Sequence, residues 1–195
     1  MSKVALLRSF LANPCQVGAL CPSSPELCRT IVRGIGIESA RTVVELGPGT
    51  GVITCEILPL LGAEAKCFAV ELDEKLCCAL KRRFPALSVH HDSAANLPDI
   101  LKGHGRQSAE VIVSGLPWAI FPDELQLEIL QSVLASLAPD GCFTTFAYVQ
   151  GLLLPAGRRF RKKLHELFDT VETSQVVWCN LPPAFVYRCR NRGTK

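Results

Sequence analysis

Thr42-Val43-Val44-Glu45-Leu46-Gly47-Pro48-Gly49-Thr50-Gly51 is the stretch whose reading decides the fold. A β-branched run passes straight into three glycines at alternate positions, and Val52-Ile53-Thr54 then starts a helix. Glycine is needed where the backbone takes positive φ or passes close to a ligand. The spacing is G-x-G-x-G, not the G-x-G-x-x-G of dinucleotide folds, and the chain has no G-x-x-x-x-G-K-[ST] phosphate loop. An acid, Glu45, stands before the loop in place of a lysine. That combination suits a ligand carrying a cation and a nucleoside rather than a triphosphate. Taken alone, the same residues also fit a tight strand-to-helix turn.

Outward from this loop, strands and helices alternate. Val52 to Leu61 reads as a helix, Ala65 to Val70 as a second strand, and Glu74 to Phe84 as a helix with Leu76, Leu80 and Phe84 on one face. Lys81-Arg82-Arg83 lie near the end of that helix, where cations favour the dipole. Leu87 to His91 and Glu110 to Val113 are the third and fourth strands. A long amphipathic helix covers Pro122 to Leu137 and stops at Pro139-Asp140-Gly141, Cys142 to Val149 is a fifth strand, and Arg158 to Phe168 is a basic helix. Val171 to Trp178 and Ala184 to Cys189 close the chain as a hairpin around Asn180-Leu181-Pro182-Pro183. The pattern predicts a doubly wound, Rossmann-like α/β fold with helices on both faces: seven strands, mostly parallel, with one reversed in a C-terminal β-hairpin. In such sheets ligands bind beyond the carboxyl ends of the strands. Here those ends carry Glu45-Leu46-Gly47, Glu71, Asp92 and Ser114-Gly115.

Composition narrows the class. The 195 residues are 48% hydrophobic and 20% charged, which fits one globular domain over 1–195 with a core of its own. A net charge of +3 is too small to argue for nucleic acid by itself. The ten cysteines form no C-x-x-C pair and several sit inside apolar patterns, so they read as reduced thiols of a cytoplasmic protein and not as a zinc site. Val4-Ala5-Leu6-Leu7 is too short for a signal-peptide core, and no apolar stretch is long enough to span a bilayer. Any membrane role is then peripheral, on the inner face. His90 and His91 point to opposite faces of a strand, which argues against a paired metal site.

Taken together, these motifs resemble those of class I S-adenosylmethionine (SAM) methyltransferases, in matching order from about Phe10 to Arg190. The resemblance implies SAM as cofactor. Gly47, Gly49, Thr50 and Gly51 would form the loop in close approach to it, and Glu45 would orient that loop and the amino-acid end of SAM. Glu71 would accept from the ribose diol, as an acceptor-only carboxylate can. Asp92 with Ser93 would receive the adenine amine, although Asp-Ser is also common turn chemistry. Ser114 opens the fourth motif.

The methyl acceptor is read from further segments. Ser114-Gly115-Leu116-Pro117-Trp118 resembles the Asn-Leu-Pro-Tyr-like motif of ribosomal-RNA adenine dimethylases, but Gly115 stands where their base-clamping asparagine does. Their C-terminal helical domain has no counterpart either, so no nucleic-acid partner is expected. The Ser-Gly-Leu-Pro motif is similar instead to that of bacterial soluble phospholipid N-methyltransferases, which methylate phosphatidylethanolamine. So are Phe10 to Pro14, Val17 to Leu27, and Asn180 to Ala184 with Val186-Tyr187. Ser23 or Ser24 before Pro25 also reads as a helix N-cap. The expected acceptor is an amine-bearing lipid, with a small-molecule amine as the alternative and RNA adenine behind both.

Val4, Leu7, Phe10 and Leu11 recur at helical spacing beside Lys3 and Arg8, which suits either a membrane interface or a lid, so residues 1–35 read as an N-terminal helical cap. Arg158-Arg159-Phe160-Arg161-Lys162-Lys163 offers five cations to an anionic membrane, or else a solvated helix face. Methyl transfer to an amine needs alignment more than a strong catalyst. An aromatic wall would favour methylated ammonium, and Trp118, then Tyr148, are the candidates, although either also fits a core position.

Overall fold

β1 (Thr42–Leu46) is buried at every position, Thr42 and Glu45 included, and is an interior strand of a seven-stranded sheet. The computed structural model describes residues 23–191. The other strands are β2 (Lys66–Glu71), β3 (Ser88–His91), β4 (Ala109–Ser114), β5 (Leu137–Tyr148), β6 (Thr170–Thr173) and β7 (Ala184–Arg190). Their order across the sheet is β3-β2-β1-β4-β5-β7-β6. Only β7 runs against its neighbours, so the expected mostly parallel sheet with a reversed C-terminal strand is present.

Side chains alternate along each strand and feed two cores. Val44, Leu46, Ile112, Phe143, Phe185 and Tyr187 face α4 (Leu97–Gly103), α5 (Asp123–Ser136) and α6 (Pro155–Leu167). Val43, Val111, Val113, Cys142 and Val186 face α1 (Pro25–Val32) and α2 (Thr54–Ile57), while α3 (Glu74–Arg83) covers β2 and β3 through Cys77 and Leu80. Local signals set the helix ends. Ser24 caps α1 by accepting from Leu27 N, with Pro25 in the first turn, and Asp73 caps α3 by accepting from Leu76 N at 2.9 Å.

Several boundaries differ from the sequence expectation. The helix expected over Val52 to Leu61 is α2 followed by a 3-10 turn, Leu58–Leu60, because Pro59 has no N–H to continue the ladder. α4 was not expected; it is short, with Pro98 in its first turn, and buries only Leu97, Ile100 and Leu101. β5 begins at Leu137 instead of Cys142. Pro139-Asp140-Gly141 is an irregularity within the strand, with Asp140 at φ 62°, where the register to β4 shifts. β6 stops at Thr173, and only Val177 of the expected remainder bridges to Ala184. Of the expected cap over 1–35, residues 1–22 and the amphipathic segment Val4 to Leu11 lie outside the described residues. The rest is core: Leu27, Cys28, Ile31 and Ile35 are buried against β5 and β7.

Candidate functional site

The strand order reverses between β1 and β4, and the crevice beyond their carboxyl ends is where a doubly wound sheet takes its ligand. Two loops meet there. Gly115 N donates to Leu46 O at 2.8 Å, and a Cβ placed on Gly115 would lie 2.7 Å from Gly47 O, so no side chain fits at position 115 without moving the glycine loop. Gly47, Gly49 and Gly51 all have positive φ. Gly51 is a packing glycine, since an added Cβ would meet Phe84 at 2.6 Å. A Cβ on Gly49 would meet nothing within 4 Å and point into open space. Thr50 is exposed, and its carbonyl accepts from Arg83 at 2.7 Å.

Glu45 faces the α1–α2 side of β1 and is 0% exposed. Thr54 Oγ1 donates to its Oε2 at 2.6 Å, while Oε1 has no hydrogen-bond partner among the described residues. Burial, helped by the nearby Glu71, outweighs the Thr54 bond and pushes this carboxyl up to about 7. Thr54 was not singled out from sequence; its place one turn past the loop is the signal that could have found it. Glu71, also buried, ends β2. Its Oε1 accepts from Leu72 N and Asp73 N, and its Oε2 accepts from Gly49 N at 3.0 Å, which ties the strand end to the glycine loop.

Asp92 and Ser93 form a turn after β3: Asp92 Oδ1 accepts from Ser93 N and Asn96 Nδ2, both at 2.7 Å, and Ser93 Oγ accepts from Ala95 N. The third-strand acid is thus half-buried at the same end of the sheet as Glu71, with Asp92 N donating to Glu71 O. His91 is exposed, with Nε2 3.0 Å from Leu72 O, and His90 contacts His104. Among the described residues no group of three or more His, Cys, Asp or Glu side chains could hold a metal.

The fourth motif is built differently from the expected aromatic wall. Trp118 is only 3% exposed, and its ring stacks on Phe160 at 4.8 Å and 19°. Its Nε1 donates to Ser114 Oγ at 3.2 Å and Thr145 Oγ1 at 2.9 Å. The indole is a fully packed, hydrogen-bonded core side chain, which corrects its reading as a wall. Ser114 is likewise buried, its hydroxyl taken up by Trp118 Nε1 and Leu116 N. Gln126 of α5 reaches back to donate to Trp118 O at 2.7 Å and Phe121 O at 3.1 Å, fixing the loop. Gln126 was missed; a lone amide on the buried face of an amphipathic helix was its signal. Tyr148, at the carboxyl end of β5, is half-buried and meets Phe146 edge-on at 5.7 Å.

Fold and crevice together define a Rossmann-like protein with its ligand crevice at the switch point of the sheet. A family model described as ribosomal RNA adenine dimethylase matches residues 23–111. The ornithine lipid N-methyltransferase of Singulisphaera acidiphila is 35% identical over 187 residues, covering 94% of this chain and 93% of that one. Ribosomal RNA small subunit methyltransferase A of Acidobacterium capsulatum is 47% identical over 62 residues, 31% of this chain and 20% of that one. Among solved structures, the O-methyltransferase TomG of Streptomyces achromogenes, in complex with SAM, superimposes with a TM-score of 0.69 at 14% identity, over 98% of this chain and 91% of that one. The chain belongs to the family of SAM-dependent methyltransferases that includes the ornithine lipid enzyme. It is an enzyme, and SAM is its cofactor. No described helix is long and apolar enough to cross a membrane.

Proposed function

We propose that this enzyme methylates the amine of an aminolipid, phosphatidylethanolamine or an ornithine lipid, and that residues 1–195 are one catalytic domain. The observation that carries the reading is the near-full-length likeness to a lipid N-methyltransferase, set against ribosomal-RNA relatives that cover between 31% and 56% of the chain and a ribosomal-RNA family model that stops at residue 111. Gly115 supports it, because the steric limit there leaves no room for the asparagine that would clamp a base amine.

SAM fits the crevice on two counts: the open space beside Gly49 admits a ligand against the backbone, and Glu45 Oε1 is a buried oxygen with no hydrogen-bond partner among the described residues. Gly47, Gly49, Thr50 and Gly51 would cradle it, Glu45 would favour its ammonium end, Asp92 and Ser93 its adenine, and Ser114 would hold the shape of the adjoining loop. When bound, SAM supplies an electrophilic methyl on a sulfonium. Glu71 would take the ribose hydroxyls, with a constraint. A carboxylate has about four acceptor sites, and three backbone N–H groups already use it. Accepting two hydroxyls therefore releases one backbone bond, and Gly49 N–H, the donor that comes from the glycine loop and not from the residues next to Glu71, is the one we assign. Trp118 acts as a positioning residue through Ser114 and Thr145, and Tyr148 is the remaining aromatic candidate at the acceptor side. The residues around the acceptor align an unprotonated amine and exclude water.

The test is incubation with methyl-labelled SAM and separate lipid, RNA and soluble-metabolite extracts. Label in the lipid fraction is the expected result. Label confined to RNA or to soluble metabolites replaces the lipid reading with an adenine or small-molecule acceptor.

A further inference from the structure

Leu127, Leu153, Leu154, Trp178 and Leu181 are the exposed large hydrophobic side chains among the described residues. Four of the five belong to one rim. Val149 N donates to Pro183 O at 2.9 Å, which joins the segment leaving β5 to the segment entering β7. Leu153 and Leu154 follow Val149 by a single 3-10 stretch, Val149–Leu153, and are 74% and 54% exposed. Trp178 and Leu181 lie in the β6–β7 connection at the same end and are 72% and 73% exposed. That connection is held in shape from beneath: buried Asn180 accepts from Ser24 N at 2.8 Å and donates to Pro182 O at 2.7 Å. Large apolar side chains held out into water at one edge mark a contact surface, and an exposed indole suits a boundary between water and lipid.

The charge beside the rim says what the contact is. In α6, Arg159 and Lys163 are both engaged by Asp123, and Lys162 pairs with Glu166 at 3.4 Å. Arg158 and Arg161 form no ion pair among the described residues, and Arg158 is anchored at the rim by donating to Leu152 O at 2.9 Å. The five cations expected to act together therefore reduce to two unpaired ones, with Arg158 one turn from Leu154. Apolar side chains with an adjacent unpaired cation complement an anionic lipid surface. The rim is also the carboxyl end of β5, next to β4 and the crevice.

We infer that Leu153, Leu154, Trp178, Leu181 and Arg158 form the face that this enzyme lays into an anionic bilayer, bringing an aminolipid headgroup to the crevice. This rests on the lipid-acceptor reading above. Of the chain's two tryptophans, Trp118 is sealed in the core, so a lipid-induced emission change reports Trp178. The expected result with vesicles of equal parts phosphatidylglycerol and phosphatidylcholine is a blue shift, quenching by brominated-chain lipid, and loss of both in Trp178→Phe. Trp178→Ser with Leu181→Ser, and separately Leu153→Ser with Leu154→Ser, should each weaken vesicle binding by about tenfold or more, while turnover of a dispersed short-chain phosphatidylethanolamine stays unchanged. A wild type that methylates the short-chain lipid but leaves Trp178 unquenched, or serine variants that bind vesicles normally, overturn the docking face alone. So does a dimer in free solution that the serine pairs dissociate, since the face then covers a second copy. No methylation of the short-chain phosphatidylethanolamine or of an ornithine lipid overturns the acceptor reading, and the inference with it.

Discussion

Replacing Glu45 by glutamine should change how stability depends on pH. The wild-type carboxyl is fully buried, one of its oxygens has no hydrogen-bond partner among the described residues, and burial carries it from the ordinary 4.5 to about 7. The folded protein therefore holds a proton that the unfolded chain releases at lower pH. The stability this proton contributes is complete below the unfolded value and is lost as the pH rises through about 7. Between about pH 5 and about pH 8 that loss comes to about 2.5 kcal/mol, at about 1.4 kcal/mol for each pH unit separating the two states. Glutamine keeps the side-chain shape and an acceptor for Thr54 but does not titrate. Measured against wild type, Glu45→Gln should gain about 2.5 kcal/mol over that interval. Urea unfolding of both proteins across a pH series reads the difference through the midpoint, and groups common to both cancel. A difference that stays flat from acid to alkaline pH would refute the account of Glu45 as a buried carboxyl with a raised pKa.

Glu71→Gln should weaken SAM binding by about tenfold, the value of one charge-assisted bond, as measured by calorimetry on folded protein; unchanged affinity removes Glu71 from the site. Trp118→Phe leaves Ser114 and Thr145 without their indole donor and should cost about 1 to 3 kcal/mol in denaturant unfolding, with little change in SAM affinity. Asp123→Ala releases Arg159 and Lys163 from their shared carboxylate, so anionic vesicles should bind more tightly by about 1 kcal/mol for the charge removed, while stability moves by less than about 1 kcal/mol. Thiol labelling of the native protein at mildly alkaline pH should modify exposed Cys55, Cys78 and Cys179 before buried Cys28 and Cys189, whose thiols burial pushes up; peptide mapping of early label in the buried pair contradicts the core packing.

What the sequence made legible was whatever is encoded locally. β1 announces itself because its β-branched residues run into a glycine loop, and the caps at Ser24 and Asp73 are short-range chemistry. α4 was missed because a helix of two turns with a proline in its first turn carries almost no periodicity. β5 was started late because Pro139-Asp140-Gly141 has the composition of a turn, whereas pairing with β4 carries the strand through it. In the site, the strand-end acids could be found from register alone. The surroundings of Trp118 could not. Thr145 and Phe160 reach it from 27 and 42 positions away, and only the folded sheet brings them to the indole. The basic run misled in the same way, because the carboxylate that engages two of its cations, Asp123, comes from α5, 36 and 40 residues earlier.

The most direct test of the central claim compares lipid acceptors with their soluble headgroups. With saturating SAM, kcat/KM is measured for phosphatidylethanolamine and an ornithine lipid in anionic vesicles, and for phosphoethanolamine and free ornithine in solution. The account predicts that at least one of the two lipids is methylated on its amine, with a kcat/KM exceeding that of its soluble headgroup by about a hundredfold or more, because the chains and the bilayer present the amine to the crevice. A soluble headgroup turned over as efficiently as its lipid would contradict it.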